Sequence, residues 1–135
     1  MLMSKTSRYA LQAATFLAEH WEEGKSIQVQ EIAEGTGVPR NYLAKILHQL
    51  ARQGVLVSER GPKGGFRLAA DPSEIALAVV VDTVEPGLAD RHCLLGRPAC
   101  SDEDPCAAHS RWQKLSGDLT RFLAETRLAD LARHD

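Results

Sequence analysis

The chain has 135 residues, is 44% hydrophobic and 25% charged, and carries a formal net charge of −2, which suits one domain, or one domain with an extension, built on a buried core. No apolar run approaches the ~20 residues of a membrane span, and the N-terminal MLMSKTSRYA lacks the apolar block of a signal peptide, so the expectation is a soluble, cytoplasmic protein without a membrane partner, where thiols stay reduced. The small net charge argues against a general nucleic-acid binder, but its distribution is uneven: residues 40–67 hold six basic side chains (Arg40, Lys45, Arg52, Arg60, Lys63, Arg67) against one acidic, Glu59, a balance of +5 that leaves −7 on the remainder. Such asymmetry implies an electrostatic footprint on one part of the fold.

Residues 4–21 read as a helix, with Tyr9, Ala13, Phe16, Leu17 and His20 at three- and four-residue steps, Ser4 as cap and Gly24 as terminator. Ile27 and Val29 alternate in a short segment that suits an edge strand. Next comes a helical hairpin. Ile32 and Ala33 belong to a short helix, Gly37 lies four residues after Ala33, and Val38 follows. A small residue, a turn glycine and an apolar residue at this spacing let two helices cross closely, the helix-turn-helix arrangement. Pro39 opens the second helix, whose buried face carries Tyr42, Leu43, Ile46, Leu47 and Leu50, and Gly54 ends it. Arg40, Asn41, Ala44, Lys45, His48 and Arg52 are left exposed, with Arg40 and Asn41 at the helix N-terminus, the part of a recognition helix that reaches base edges. Arginine suits guanine and asparagine suits adenine in the major groove.

Residues 54–69 then read GVLVSERGPKGGFRLA: a strand, a glycine-rich basic turn, and a return strand with Phe66 and Leu68 on one face. A two-stranded hairpin directly after a recognition helix is a wing. Arg60, Gly61 and Lys63 at its tip suit the minor groove or the phosphate backbone.

Residues 73–84 form a further helix with Ile75, Val79, Val80 and Val84 apolar, stopped by Pro86 and Gly87. Beyond it every cysteine of the chain falls in one stretch, CLLGRPACSDEDPCAAH, with Cys93, Cys100 and Cys106 at C-x6-C-x5-C and His109 at C-x2-H. Three thiols cannot all pair within one chain. A polar loop gathering soft ligands suggests zinc or iron–sulfur, against the plainer reading of small buried side chains and a surface histidine. Asp104 suits a cap and Pro105 the first helical position, so that Cys106 and His109 share one face of a helix. That helix continues with Trp112, Leu115, Leu119, Phe122 and Thr126 in 3-4-3-4 steps, Leu123 alongside: a heptad seam that suits a second copy of the chain. Leu128 and Leu131 mark a short last helix. No acid–base pair or nucleophile–base arrangement suggests an enzyme.

Together, SRYAL (7–11), EIAEGTGVPRNYL (31–43), the wing segment 54–69 and the cysteine trio with its histidine resemble the IscR/NsrR-type regulators of the Rrf-two superfamily over nearly the whole chain. The resemblance implies a mainly α fold: a winged helix-turn-helix DNA-binding domain over 1–85 with a small β-hairpin wing, a cluster-binding loop over 86–106, and a long dimerisation helix with its tail over 107–135. It implies a homodimer on a palindromic operator in double-stranded DNA, contacts through Arg40, Asn41, Tyr42, Lys45, Arg60, Gly61 and Lys63, and a dimer seam of Trp112, Leu115, Leu119 and Phe122. It also implies an iron–sulfur cluster on Cys93, Cys100 and Cys106 that controls DNA binding. The fourth ligand varies within the family. The C-x2-H match, and a first ten residues without Asp or Glu, favour His109 and a 2Fe–2S cluster over 4Fe–4S. The first cysteine gap is one residue longer than the commoner family spacing, and His92 is a reserve ligand. A thiol switch or zinc site in a similar repressor is the alternative, and an electron-transfer protein would leave the wing and seam without a role.

Overall fold

The computed structural model describes residues 3–87 and 109–132. Six helices and one hairpin follow in the order α1 (Lys5–Glu19), α2 (Val29–Thr36), α3 (Arg40–Arg52), β1 (Leu56–Glu59), β2 (Gly65–Leu68), α4 (Leu77–Val84), α5 (His109–Glu125) and α6 (Leu128–Leu131). The expected class, mainly α with a helix-turn-helix and a wing, is the observed one.

α1 is central, packed against α2, α3, α4 and α6. Ser4 caps it by accepting from the Ser7 backbone N–H at 3.1 Å. Its buried residues are Ser7, Ala10, Ala13, Ala14 and Leu17, while Tyr9 and Phe16 are half-buried and His20 is exposed. Of the larger periodic side chains Leu17 is in the core, while Tyr9, Phe16 and His20 lie at its margin or outside it. A helix with neighbours on several sides needs small residues on its inner face, because interaxial distance follows side-chain size.

The α2–α3 turn follows its local chemistry. Gly37 takes φ +79° and donates its N–H to the Ala33 carbonyl at 2.9 Å, a left-handed cap that costs a β-carbon-bearing residue about 1–2 kcal/mol. Thr36 Oγ1 donates to the Ile32 carbonyl at 2.7 Å, and Val38 is buried behind the turn. In α3 Leu43, Ile46, Leu47 and Leu50 are buried as expected, but Tyr42 is not: it is 50% exposed and lies beside Tyr9, ring centroids 6.0 Å apart.

The wing pairs Leu56 with Leu68 through Glu59 with Gly65, antiparallel, and seats Leu56, Phe66 and Leu68 in the core. The expected edge strand before α2 shrinks to one residue. Ile27 exchanges two 2.9 Å backbone hydrogen bonds with Phe66, and Val29 is already the first residue of α2. The helix anticipated from residue 73 also starts later: Pro72–Glu74 is a 3-10 turn capped by Asp71, and Val79 is 48% exposed.

The last helices return to the first core. Leu123 and Leu128 are fully buried there, and backbone hydrogen bonds from Leu77 to Thr126 and from Leu128 to Ile75, each 2.9 Å, join the strap between α5 and α6 to the start of α4. Among the described residues no helix is long and apolar enough to cross a membrane.

Candidate nucleic-acid interface and cysteine segment

Packing decides which side chains of α3 meet solvent. With Leu43, Leu47 and Leu50 turned inward, the opposite face presents Arg40, Asn41, Tyr42, Lys45, His48 and Arg52, all exposed; Ala44, expected outside, is half-buried. Arg60, Gly61 and Lys63 are exposed in the wing turn, closed by the Gly64 N–H donating to the Gly61 carbonyl at 2.9 Å. Gln30, Arg40, His48, Arg60, Gly61 and Phe66 line one open groove between α3 and the wing, with the His48 ring edge-on to Phe66 at 5.3 Å. All seven residues proposed from the sequence for DNA contact thus lie exposed, on α3 or in the wing turn.

The wing is clipped to the segment before α2 by polar side chains that the sequence pattern does not reveal. Ser26 Oγ donates to Glu59 Oε1 at 2.7 Å, Arg67 Nε donates to the same oxygen at 2.8 Å, and Gln28 Nε2 donates to the Pro62 carbonyl at 2.8 Å. The Arg67 and Ser26 hydrogen bonds, in that order, hold the Glu59 carboxyl below its ordinary range. Arg67, counted above with the basic footprint, is thus neutralised in place, and the lone acid of residues 40–67 is its partner.

At the far end of the domain Ser7 is fully buried, and its hydroxyl donates to Glu85 Oε1, which also accepts from the Ser4 backbone N–H at 3.2 Å. A carboxylate here meets the positive end of the α1 dipole. Glu85 follows α4 directly, so the chain entering the cysteine segment is tethered to the start of α1. Nothing local marks this contact, which spans 78 residues of sequence.

Cys93, Cys100 and Cys106 lie outside the described residues, as do the expected cap Asp104, the helix-opening Pro105 and the reserve ligand His92. His109 is described only as the first residue of α5. Among the described residues there is no group of three or more His, Cys, Asp or Glu able to hold a metal. The donor set itself, three thiols and an imidazole, fits an iron–sulfur cluster and equally zinc.

The proposed seam is divided. Leu115 and Phe122 are 47% and 51% exposed, Trp112 and Leu119 are half-buried, Leu119 lies against the core, and Leu123 faces fully inward. α5 thus holds to its own domain through one stripe while exposing apolar side chains on another.

Residues 3–134 match the Rrf2 family, described as an iron-dependent transcriptional regulator. The chain belongs to the Rrf2 family. It is similar to the HTH-type transcriptional regulator IscR of Serratia proteamaculans, 33% identical over 134 residues that cover 99% of this chain and 80% of that protein. Its fold is similar to that of CymR, the global cysteine regulator of B. subtilis (TM-score 0.78, 25% identity, 96% of this chain and 95% of that one), and of T. potens IscR (TM-score 0.75, 27% identity, 96% and 84%).

Proposed function

We propose that this Rrf2 protein is a cytoplasmic, homodimeric regulator that binds a palindromic operator in double-stranded DNA, and that the state of an iron–sulfur cluster on its cysteine segment controls that binding. The observation that carries the DNA reading is the open groove between α3 and the wing, lined by Arg40, His48, Arg60 and Gly61, with Asn41, Tyr42, Lys45 and Lys63 exposed on the same two stretches. Arg40, Asn41, Tyr42 and Lys45 reach base edges from α3, while Arg60, Gly61 and Lys63 approach the minor groove or the phosphates. The exposed Leu115 and Phe122 of α5, with Trp112 and Leu119 beside them, form the contact with the second copy, which two half-sites about 34 Å apart require.

Cys93, Cys100 and Cys106 hold the cluster, with His109 as fourth ligand and 2Fe–2S as its type. When bound, the cluster supplies an iron centre sensitive to oxidation, nitric oxide and iron supply. The chain's own residues turn ligation into a signal. Held on one cluster, the three cysteines and His109 would restrain the chain between Glu85 and α5. Glu85 transfers the restraint to α1 through Ser7, and α1 packs on the recognition helix. Leu115 and Phe122 on the same α5 set the spacing of the two recognition helices. A coupling of ~1–3 kcal/mol between cluster state and operator affinity is expected.

A second reading, a thiol switch or zinc site on the same cysteines, draws support from the similarity to CymR, the global cysteine regulator of B. subtilis. Anaerobic purification with a visible spectrum and iron and sulfide assays separates the two. A red-brown protein supports the cluster, and a colourless one retaining zinc supports the alternative. Equal affinity of cluster-loaded and cluster-free protein for duplexes selected from a random pool, at one salt concentration, would refute the switch.

A further inference from the structure

The start of the recognition helix is held by side chains of α2. Arg40 Nη1 donates to Gln30 Oε1 at 2.9 Å. Gln30 Nε2 in turn donates to Glu34 Oε1 at 2.9 Å, one helical turn along. The amide therefore has a defined sense. Turned over, it would set its N–H groups against the guanidinium donors and its oxygen against the carboxylate, replacing two hydrogen bonds by two repulsions. Glu34 decides which end of Gln30 faces Arg40, and Gln30 decides where one of the five donors of Arg40 goes. Gln30 and Arg40 line the groove between α3 and the wing, and Arg40 is the first residue of α3.

We propose that Gln30 is a positioning residue for base recognition: it holds the Arg40 guanidinium so that its remaining donors meet the O6 and N7 edge of a guanine, and so narrows sequence preference at that base pair. The proposal rests on the DNA-binding reading above. Its physical basis is the difference between the wet and the dry site. In the isolated protein the three side chains are exposed, the bond competes with water, and its net contribution to stability is small. Against DNA the groove loses water and the same bond strengthens. A bidentate arginine–guanine pair needs the guanidinium in one plane, and a tethered arginine has less rotamer freedom to lose in reaching it. Phosphate accepts an arginine in many orientations and would gain little from the tether, so a backbone role for Arg40 is the outcome the test must separate.

Wild type, Gln30→Ala, Arg40→Ala and the double variant are each used to select duplexes from a randomised pool, and each is titrated against the best wild-type duplex and against poly(dA-dT), which offers no guanine-like O6 and N7 edge, at one salt concentration. The wild-type selection is expected to show a guanine preference that Arg40→Ala loses and Gln30→Ala relaxes. Gln30→Ala should weaken binding to the selected duplex by about threefold to tenfold, the worth of one such hydrogen bond, and leave binding to poly(dA-dT) and the melting temperature unchanged. Added to Arg40→Ala it should cost nothing further, since the two residues act as one unit. An unchanged guanine preference in Gln30→Ala, equal losses on both duplexes, or additive losses in the double variant would each overturn the positioning role while leaving DNA binding intact. A wild-type protein that enriches no duplex would overturn the DNA reading, and this proposal with it.

Discussion

Replacing Gly65 by alanine sets the wing against its anchor. Gly65 has φ +150°, and a β-carbon built there would lie 2.2 Å from the Ile27 carbonyl oxygen, 2.5 Å from its carbon and 2.9 Å from the Gln28 nitrogen. All three are backbone atoms, so no flexible side chain can move aside. The chain must part at the Ile27–Phe66 pair, losing two 2.9 Å hydrogen bonds worth about 1 kcal/mol each, while alanine at this φ adds about 1–3 kcal/mol of strain. The sum, about 3–5 kcal/mol, is a large share of the ~5–15 kcal/mol by which a domain is stable. Gly61→Ala is the control: its φ is +103° but nothing lies within 4 Å, leaving only backbone strain of about 1–2 kcal/mol. Denaturant unfolding of both variants, with amide exchange at Ile27 and Phe66, measures the difference. If Gly65→Ala is no more destabilising than Gly61→Ala, the wing is not anchored through this close approach.

Other expectations follow from the same geometry. Arg60→Ala should weaken operator binding by ~1–3 kcal/mol if Arg60 reads a groove; an unchanged gel-shift titration at fixed salt would remove it from the interface. Phe122→Asp places a charge on an exposed part of α5 and should dissociate the proposed dimer in sedimentation without unfolding the subunit, whereas a fully dimeric variant would put the seam elsewhere. Because the folded-state pKa of Glu59 is depressed, its support of the wing is present above the ordinary carboxylate range and is lost as pH falls through the depressed value. The wild-type wing should therefore loosen in acid, and Glu59→Gln should flatten that dependence in a pH titration of Phe66 amide exchange.

Much of this protein is written locally. The three-to-four-residue recurrence of Leu43, Ile46, Leu47 and Leu50 sets the buried face of α3, and therefore the exposure of Arg40, Asn41 and Lys45 on the other side. Gly37 marks the turn before α3, and the glycines around Pro62 mark the hairpin whose tip carries Arg60 and Lys63. Period and turn chemistry act over a few residues, so they survive without knowledge of the partner surface. What lies between distant segments does not. The inner face of α1 is lined by Ala10, Ala13 and Ala14 with Leu17 rather than by Tyr9 and Phe16, because α1 has neighbours on several sides. Tyr42 fits the apolar period of α3 yet stands half in solvent. Leu123 and Leu128 could have served a separate dimer arm, but hydrogen bonds to the start of α4 bring them into the first core. Ser7 with Glu85, Gln30 with Arg40 and Ser26 with Glu59 are pairings of ordinary polar residues, each decided only when packing brings two stretches of chain within hydrogen-bond reach. A side chain's period names the face it occupies, and the tertiary structure alone decides what that face meets.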